Sequence, residues 1–225
     1  MSRTASLYHS TVGKKVLMAV TGLILFLFVI GHMLGNLKVF EGPESFNQYA
    51  EFLRTMGYPL IPRYGLIWVG RIFLLAAVGV HVYSAWQLWV RSRLARAEGY
   101  RKVKDLSFSY ASRTMRWGGV LILLFVVYHI LHLTTGQAHP DFVPGDVYRN
   151  FIVGFSNPLV VGFYVVAQVA LGLHLYHGVW SMTQTLGASH PKYDRWRRST
   201  SGALAIVVVV GFVIPPVAVL LGLLS

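Results

Sequence analysis

Five long apolar segments constrain the fold of this chain more than any other feature of its sequence. Their approximate bounds are residues 16–37, 66–90, 117–135, 158–186 and 203–224. Each has, or comes close to having, the ~20 apolar residues that a helix needs to cross a bilayer. Lipid offers no hydrogen-bond partners to a peptide backbone, so each segment must be helical. With 55% hydrophobic and 12% charged residues, the chain is predicted to be one all-α membrane domain over residues 1–225.

The basic residues lie on alternate loops between these segments. The N-terminus, residues 91–116 and residues 192–198 together carry 15 Lys and Arg against three acidic residues, whereas the rest of the chain carries five of each. The net charge of +12 therefore falls on one side of the membrane, as the positive-inside rule predicts. We expect a cytoplasmic N-terminus, five crossings and a C-terminus outside. This distribution explains the basic charge without nucleic acid.

The connections and termini carry further signals. A surface helix is predicted at about 45–56, where Ser45 and Gln48 fit a capping box and Gly57 fits a stop. Residues 137–157 are expected to form a short loop, followed by a helix with Pro158 in its first turn. The first segment is predicted to be a retained helix rather than a signal peptide. No organelle presequence is evident, which favours a bacterial cytoplasmic (inner) membrane.

Six of the nine histidines fall inside the apolar segments. They are His32, His81, His129, His132, His174 and His177. Ionisable groups at membrane depth are costly and indicate function by default. The other three histidines, His9, His139 and His190, are expected to be solvated. The chain has no cysteine, which excludes disulfides, protein-ligated iron–sulfur clusters and covalently attached c-type haem.

Helix geometry sorts four of these histidines by depth. At a rise of ~1.5 Å per residue, His32 and His129 fall in the outer half of the membrane, and His81 and His174 fall in the inner half. Each depth thus holds imidazoles from two different helices, which is what a b-type haem needs for its two axial ligands. Zinc would favour three or four protein ligands, with carboxylates nearby that are missing here. A di-iron site would need intramembrane Glu residues, and the apolar segments contain none.

Glycines lie close to these histidines in the sequence. They are Gly31, Gly35, Gly79, Gly172 and Gly178. They would let a flat macrocycle approach the helices, although glycines are equally common where two membrane helices pack together.

The segments FVIGHMLGN, VGVHVYSAW, FVVYHILHL and LGLHLYHGVWS resemble the dihaem cytochrome b subunits of succinate:quinone oxidoreductases, of the cytochrome b558 type. That family includes succinate dehydrogenases and menaquinol:fumarate reductases. The resemblance implies that His129 and His174 are the haem ligands of the third and fourth helices, so that His32 and His129 bind an outer haem and His81 and His174 an inner haem. The neighbouring histidines, His132 and His177, would bind propionates or waters, carry protons, or only pack.

The resemblance also implies a function. The chain would anchor a flavoprotein (FAD) subunit and an iron–sulfur subunit at the inner face of the membrane, and the succinate-oxidising site of the enzyme would lie on a partner chain. Electrons would pass through two b haems to a quinone, usually menaquinone in this family. Candidate residues for a quinone site near the outer end are Tyr49, Glu51, Arg54 and Arg71, with Glu41 and Glu44 nearby. The oligomeric state of the complex stays open.

Two of these assignments have a simpler alternative. Arg71 lies one turn inside the second helix, where it could pair with a propionate or reach back to the membrane interface. The inner-side residues His9, Lys14, Arg113 and Arg116 could meet propionates or the iron–sulfur subunit, but a basic flank explains them as well, and we favour that explanation.

Three other functions remain open at the level of sequence. The same architecture could run as a fumarate reductase, because haem potentials and the quinone decide the direction. A cytochrome b subunit of a formate dehydrogenase or hydrogenase also uses transmembrane histidines. A proton-coupled transporter could use histidines as a relay, but the chain shows no internal repeat and no Asp or Glu at membrane depth.

Overall fold

The computed structural model describes residues 10–95 and 106–225, and of residues 106–113 it describes the backbone alone. Seven α-helices and no β-strand occur in these ranges. The helices are α1 Thr11–Leu37, α2 Pro43–Thr55, α3 Gly65–Leu94, α4 Leu106–Leu133, α5 Val147–Phe155, α6 Pro158–Thr185 and α7 Asp194–Leu220. Five of them, α1, α3, α4, α6 and α7, are long and apolar enough to cross a membrane. The prediction of an all-α chain with five long apolar helices is confirmed.

Several of the long helices begin before the apolar segments that predicted them. Helix α1 starts at Thr11 because Ser10 caps it, accepting a hydrogen bond from the Gly13 backbone N–H at 2.9 Å. Helix α7 starts at Asp194, whose carboxylate pairs with Arg197 at 2.7 Å and with Arg198 at 3.0 Å. The apolar pattern marks the part of a helix that lies in lipid, whereas capping and ion pairs extend the helix into water.

Other helix ends agree with their sequence signals, and one signal is wrong. Pro158 occupies the first turn of α6, and Asn157 caps it. Gly57 follows the end of α2 with a φ of 86°, which favours glycine. The capping box at Ser45 does not form, because α2 starts earlier, at Pro43. The Ser45 hydroxyl instead donates to the Glu41 carboxylate at 2.5 Å.

Helix α5 is absent from the sequence prediction, which treated residues 137–157 as a loop. Asp146 caps the helix by accepting from the Arg149 backbone N–H at 3.0 Å. Tyr148, Phe151 and Phe155 are buried on one face. Nine residues are too few for a clear helical period, so the aromatic side chains were visible in the sequence but their common face was not.

The end of the bundle that carries α2 and α5 is called the cap end here, and the opposite end, with residues 91–94, 114–116 and 187–198, is called the basic end. Asn47 joins the two cap helices: its amide donates to Asp146 at 3.0 Å and its carbonyl accepts from the Tyr148 backbone N–H at 3.0 Å. Buried side chains of α2, α5, α6 and their neighbours then form an aromatic cap core. Its members are Val39, Phe46, Tyr148, Phe151, Phe155, Val161, Tyr164 and Val219.

The long helices do not pack uniformly. Helix α1 packs against α3, α6 and α7, and α6 packs against α4 and α7. Among the long helices in the described part of the chain, α1 is the only one that α3 contacts extensively. An apolar groove of about 350 Å³ therefore opens beside α3. It is lined by Val78, Gly79, Val82, Tyr83, Trp86 and Leu123.

Acidification should loosen the junction between α2 and α5. The Arg149 backbone N–H, and then the Asn47 amide, hold the pKa of Asp146 below its usual value. A lowered carboxyl pKa contributes stability that is present above the unfolded-state pKa of about 4 and is lost as the pH falls through the folded-state pKa. Amide hydrogen exchange in α5, corrected for intrinsic rates, should therefore accelerate as the pH is lowered below about 4.

Two variants control this prediction. Asp146→Asn keeps a capping side chain but has no charge to lose, so its exchange rates in α5 should not show the acid acceleration. Asp141→Asn removes a carboxylate that pairs with Arg149 at the surface and should keep it. An unchanged acid response in Asp146→Asn would contradict the assignment.

Candidate functional site

The cap-end half of the bundle brings together His32 of α1 and His129 of α4. Their ring centroids lie 5.7 Å apart with the ring planes at 78°. Phe28 stacks on His32 at 5.5 Å, and Phe125 stacks on His129 at 5.7 Å. Two imidazoles from different helices therefore face each other inside an aromatic surround.

The basic-end half brings together His81 of α3 and His174 of α6. Their ring centroids lie 6.2 Å apart, with the planes at 59°. Nδ1 of His81 lies 3.2 Å from the Met18 carbonyl oxygen and 3.2 Å from the Thr21 hydroxyl. A carbonyl oxygen can only accept, so Nδ1 carries the ring proton and Nε2 presents a bare lone pair, which is the form that binds a metal.

Small residues beside these rings differ from those that the sequence suggested. A Cβ on Gly22 would lie 3.3 Å from the His81 ring, and one on Gly119 would lie 3.9 Å from the His174 ring. Gly79 lines the groove beside α3. Gly35 instead packs against Tyr49, and Gly172 packs against Val209, so these two serve contacts between elements.

His132 and His139 form a second histidine cluster at the cap end. His132 is fully buried, and its ring stacks on His139 with centroids 5.3 Å apart. His139 is also buried, which contradicts the expectation that it is solvated. Its Nε2 donates to the Asn150 carbonyl at 2.8 Å and its Nδ1 accepts from the Asp141 backbone N–H at 3.0 Å. Helix α5, which the sequence did not reveal, covers this ring.

One hydroxyl connects this cluster to the His32–His129 pair. The Tyr164 hydroxyl oxygen lies 3.2 Å from Nδ1 of His129 and 2.9 Å from Nδ1 of His132. Tyr164 is buried in the cap core. Sequence reasoning missed it, because a tyrosine in an apolar helix gives no sign of which histidines it will meet.

The candidate quinone-site residues are not joined into one site. Glu51 pairs with Arg63 and lies 3.7 Å from Arg54. Arg71 is exposed, and its guanidinium lies 5.0 Å from the Trp68 ring centroid. No hydrogen bond or ion pair in the described ranges connects Tyr49 or Arg71 to Glu51, so a quinone site made of these residues stays a prediction.

Lys14 differs from the basic flank that we expected. Only 2% of it is exposed, and its ammonium group donates to the Gln87 side chain. Lys14 thus ties the start of α1 to α3 inside the bundle. Trp89 lies two residues after Gln87 on α3. The guanidinium groups of Arg93 and Arg116 lie over its ring, 4.7 Å and 5.9 Å from the ring centroid.

The two imidazole pairs fit a b-type haem. Two imidazoles that bind one metal from opposite sides through bonds of about 2 Å have ring centroids roughly 6 Å apart, and the observed separations are 5.7 Å and 6.2 Å. The bare Nε2 of His81 and the apolar groove beside α3 agree with this. Among the described residues, no group of three or more His, Cys, Asp or Glu could hold a metal ion.

The fold and the imidazole pairs together define the class: a multi-pass, all-helical membrane protein with facing histidines, the arrangement typical of membrane cytochromes b. Within that class, the chain is similar to the succinate dehydrogenase cytochrome b558 subunit of Bacillus subtilis (strain 168), with 25% identity over 189 residues, which cover 83% of this chain and 85% of that protein. The resemblance to cytochrome b558-type anchor subunits is thereby confirmed. No family model and no solved structure matches the chain.

Gly154→Ala should destabilise the cap end. The new Cβ would lie 3.0 Å from Cε1 and Nε2 of His132 and 3.1 Å from Nε2 of His139. Hydrogen bonds hold both rings, so neither can move away freely. We expect a loss of about 1–3 kcal/mol, the usual cost of overpacking, measured as a lower melting temperature in detergent.

Gly162→Ala is the matched control on α6. A Cβ there meets nothing within 4 Å, so the variant should melt at or slightly above the wild-type temperature, because alanine favours the helix by about 0.5–1 kcal/mol. Equal melting temperatures for the two variants would show that the histidine cluster is not tightly packed.

Proposed function

We propose that this chain is the membrane-anchor cytochrome b subunit of a succinate dehydrogenase. In this proposal it holds two b haems and passes electrons from an iron–sulfur partner to a quinone, with menaquinone as the expected acceptor. The observation that carries the proposal is the presence of two facing imidazole pairs at two depths, each drawn from two helices. The name and the coverage of the Bacillus subtilis relative support the choice of complex.

Each pair has a defined task in this proposal. His32 and His129 hold the cap-end haem, and His81 and His174 hold the basic-end haem. The bound haems supply one-electron carriers at two depths of the membrane. The Met18 carbonyl and the Thr21 hydroxyl orient His81 through its Nδ1.

The charge pattern gives the proposal its direction. The basic end would face the cytoplasm and carry the flavoprotein and iron–sulfur subunits, so electrons would enter at the His81–His174 pair. The cap end would face outside and hold the quinone site. Of the candidate residues there, Glu51 is the one carboxylate; it pairs with Arg63 and lies 3.7 Å from Arg54, and in this proposal it is the group that passes protons at the quinone site.

Alanine at any one of the four paired histidines should remove one haem and leave the other. His81→Ala or His174→Ala should abolish the low-spin signal of the basic-end haem, and His32→Ala or His129→Ala that of the cap-end haem, because each iron loses one of its two nitrogen ligands. Reduced-minus-oxidised spectra and electron paramagnetic resonance of the purified complex measure this.

The two neighbouring histidines provide the control. His132→Ala and His177→Ala should keep both haems, since Nε2 of His132 lies against Gly154, where a Cβ would come within 3.0 Å, and His177 packs near Trp180 at 6.2 Å. Loss of a haem in His132→Ala together with its retention in His129→Ala would overturn the ligand assignment on α4.

A haem count on the complex tests the proposed function as a whole. Purification through a tag on this chain, followed by a pyridine haemochrome assay, should give two b haems per chain together with a flavoprotein and an iron–sulfur protein. An absence of haem would refute the electron-transfer function and leave the histidines to a proton path or to packing. A haem protein with different partner subunits would point to the formate dehydrogenase or hydrogenase alternative.

A further inference from the structure

The Tyr164 hydroxyl lies between two histidines of α4. Its hydroxyl oxygen lies within hydrogen-bond distance of Nδ1 of both His129 and His132. The ring of Tyr164 is fixed by edge-to-face contacts with Phe125 at 4.9 Å and Phe155 at 4.7 Å. A phenol has a single proton, so it donates to one imidazole and accepts from the other.

Iron binding at His129 would fix the direction of this chain of hydrogen bonds. If Nε2 of His129 binds iron, its Nδ1 must carry the ring proton and donate it to the Tyr164 oxygen. The Tyr164 proton then points to Nδ1 of His132, which accepts. His132 itself is a poor ligand candidate here, because its Nε2 lies against Gly154, where even a methyl group would come within 3.0 Å.

We propose that Tyr164 is the positioning residue of the cap-end haem. Its hydroxyl orients His129, accepts the Nδ1 proton of the tautomer that presents Nε2 to the iron, and sets the electron density of the ligand. This inference rests on the proposed function and deepens it, because it assigns a separate task to Tyr164 and to His132, the histidine that the ligand set leaves over.

The two haems would then be tuned by different acceptors. At the basic end, Nδ1 of His81 donates toward the Met18 carbonyl. At the cap end, Nδ1 of His129 donates to a phenol whose own proton is directed to His132. An acceptor for the second ring N–H raises the basicity of a metal-bound imidazole, and a more basic ligand stabilises the oxidised iron. Loss of the phenol should therefore favour the reduced state of the cap-end haem alone.

His132 and His139 keep the phenol in place. His132 accepts from Tyr164, stacks on His139, and is covered by α5, to which His139 is bonded through the Asn150 carbonyl. The cap helix thus reaches the haem ligand through a continuous set of contacts. Removing His132 frees the Tyr164 hydroxyl to rotate but leaves its oxygen available to His129, so the effect should be smaller than that of removing the hydroxyl.

The test is a redox titration of both haems in the whole complex carrying Tyr164→Phe, which removes one oxygen atom from the cap core. The ferric–ferrous equilibrium of the cap-end haem should shift about tenfold toward the reduced form, which equals ~59 mV for one electron. The electron paramagnetic resonance of this haem should change as His129 gains freedom to turn. His132→Ala should shift the same haem in the same direction by less. The basic-end haem should not change.

Tyr148→Phe is the matched control. Tyr148 belongs to the same cap core, and its hydroxyl donates to the Ser225 carbonyl at 3.2 Å rather than to a histidine. It should leave both haems at their wild-type potentials. The inference is overturned if Tyr164→Phe moves the cap-end potential by less than about twofold in the equilibrium constant, ~18 mV, or no more than Tyr148→Phe does. If the wild-type complex holds two haems and Tyr164→Phe does not change the cap-end potential, only the role of Tyr164 is refuted. If the wild-type complex holds no haem, the proposed function is refuted as well.

Discussion

An imidazole inside a membrane bundle needs a partner for each ring nitrogen, because lipid supplies none. In two of the paired histidines, His81 and His129, one ring nitrogen is held by the protein itself. Nδ1 of His81 meets a backbone carbonyl at the turn of α1 that carries Thr21, and Nδ1 of His129 meets the Tyr164 hydroxyl. The other nitrogen is left to face the histidine of a neighbouring helix. Helix α3 has no extensive contact with α4 or α6 in the described part of the chain, and an apolar groove lies beside it.

The two ends of the bundle hold the histidine ring nitrogens with different groups. At the basic end, His81 is fixed by one neighbouring helix, α1, through the Met18 carbonyl and the Thr21 hydroxyl. At the cap end, His129 is fixed by a side chain of α6, and that side chain is held in turn by His132, His139 and the short helix α5. Membrane helices gain little from burying apolar surface against each other, so aromatic contacts and hydrogen bonds such as these carry the specificity of the packing.

Some features of the site could be predicted from the sequence, and others could not, for identifiable reasons. The grouping of His32 with His129 and of His81 with His174 came from residue counts along straight helices together with the family resemblance, and the structure brings the same rings together. His139 was expected to be solvated and Lys14 to belong to a basic flank, but both are buried. The burial of His139 depends on α5, which follows it after a turn. The burial of Lys14 depends on Gln87, which is 73 residues away in the sequence. No local sequence pattern predicts either contact.

The sequence by itself determined the five apolar helices, the charge asymmetry between the two ends and the position of each histidine along its helix. These properties follow from helix rise and from the cost of placing charge in lipid, which act on each segment independently. Only the tertiary structure decided which groups meet Nδ1 of His81 and of His129. It also decided that Gly22 and Gly119, rather than Gly35 and Gly172, lie beside the paired rings. The second histidine cluster under α5 is likewise visible only in the tertiary structure. Those outcomes depend on the rotation of each helix about its axis and on the placement of short cap helices, which are fixed by packing between distant residues.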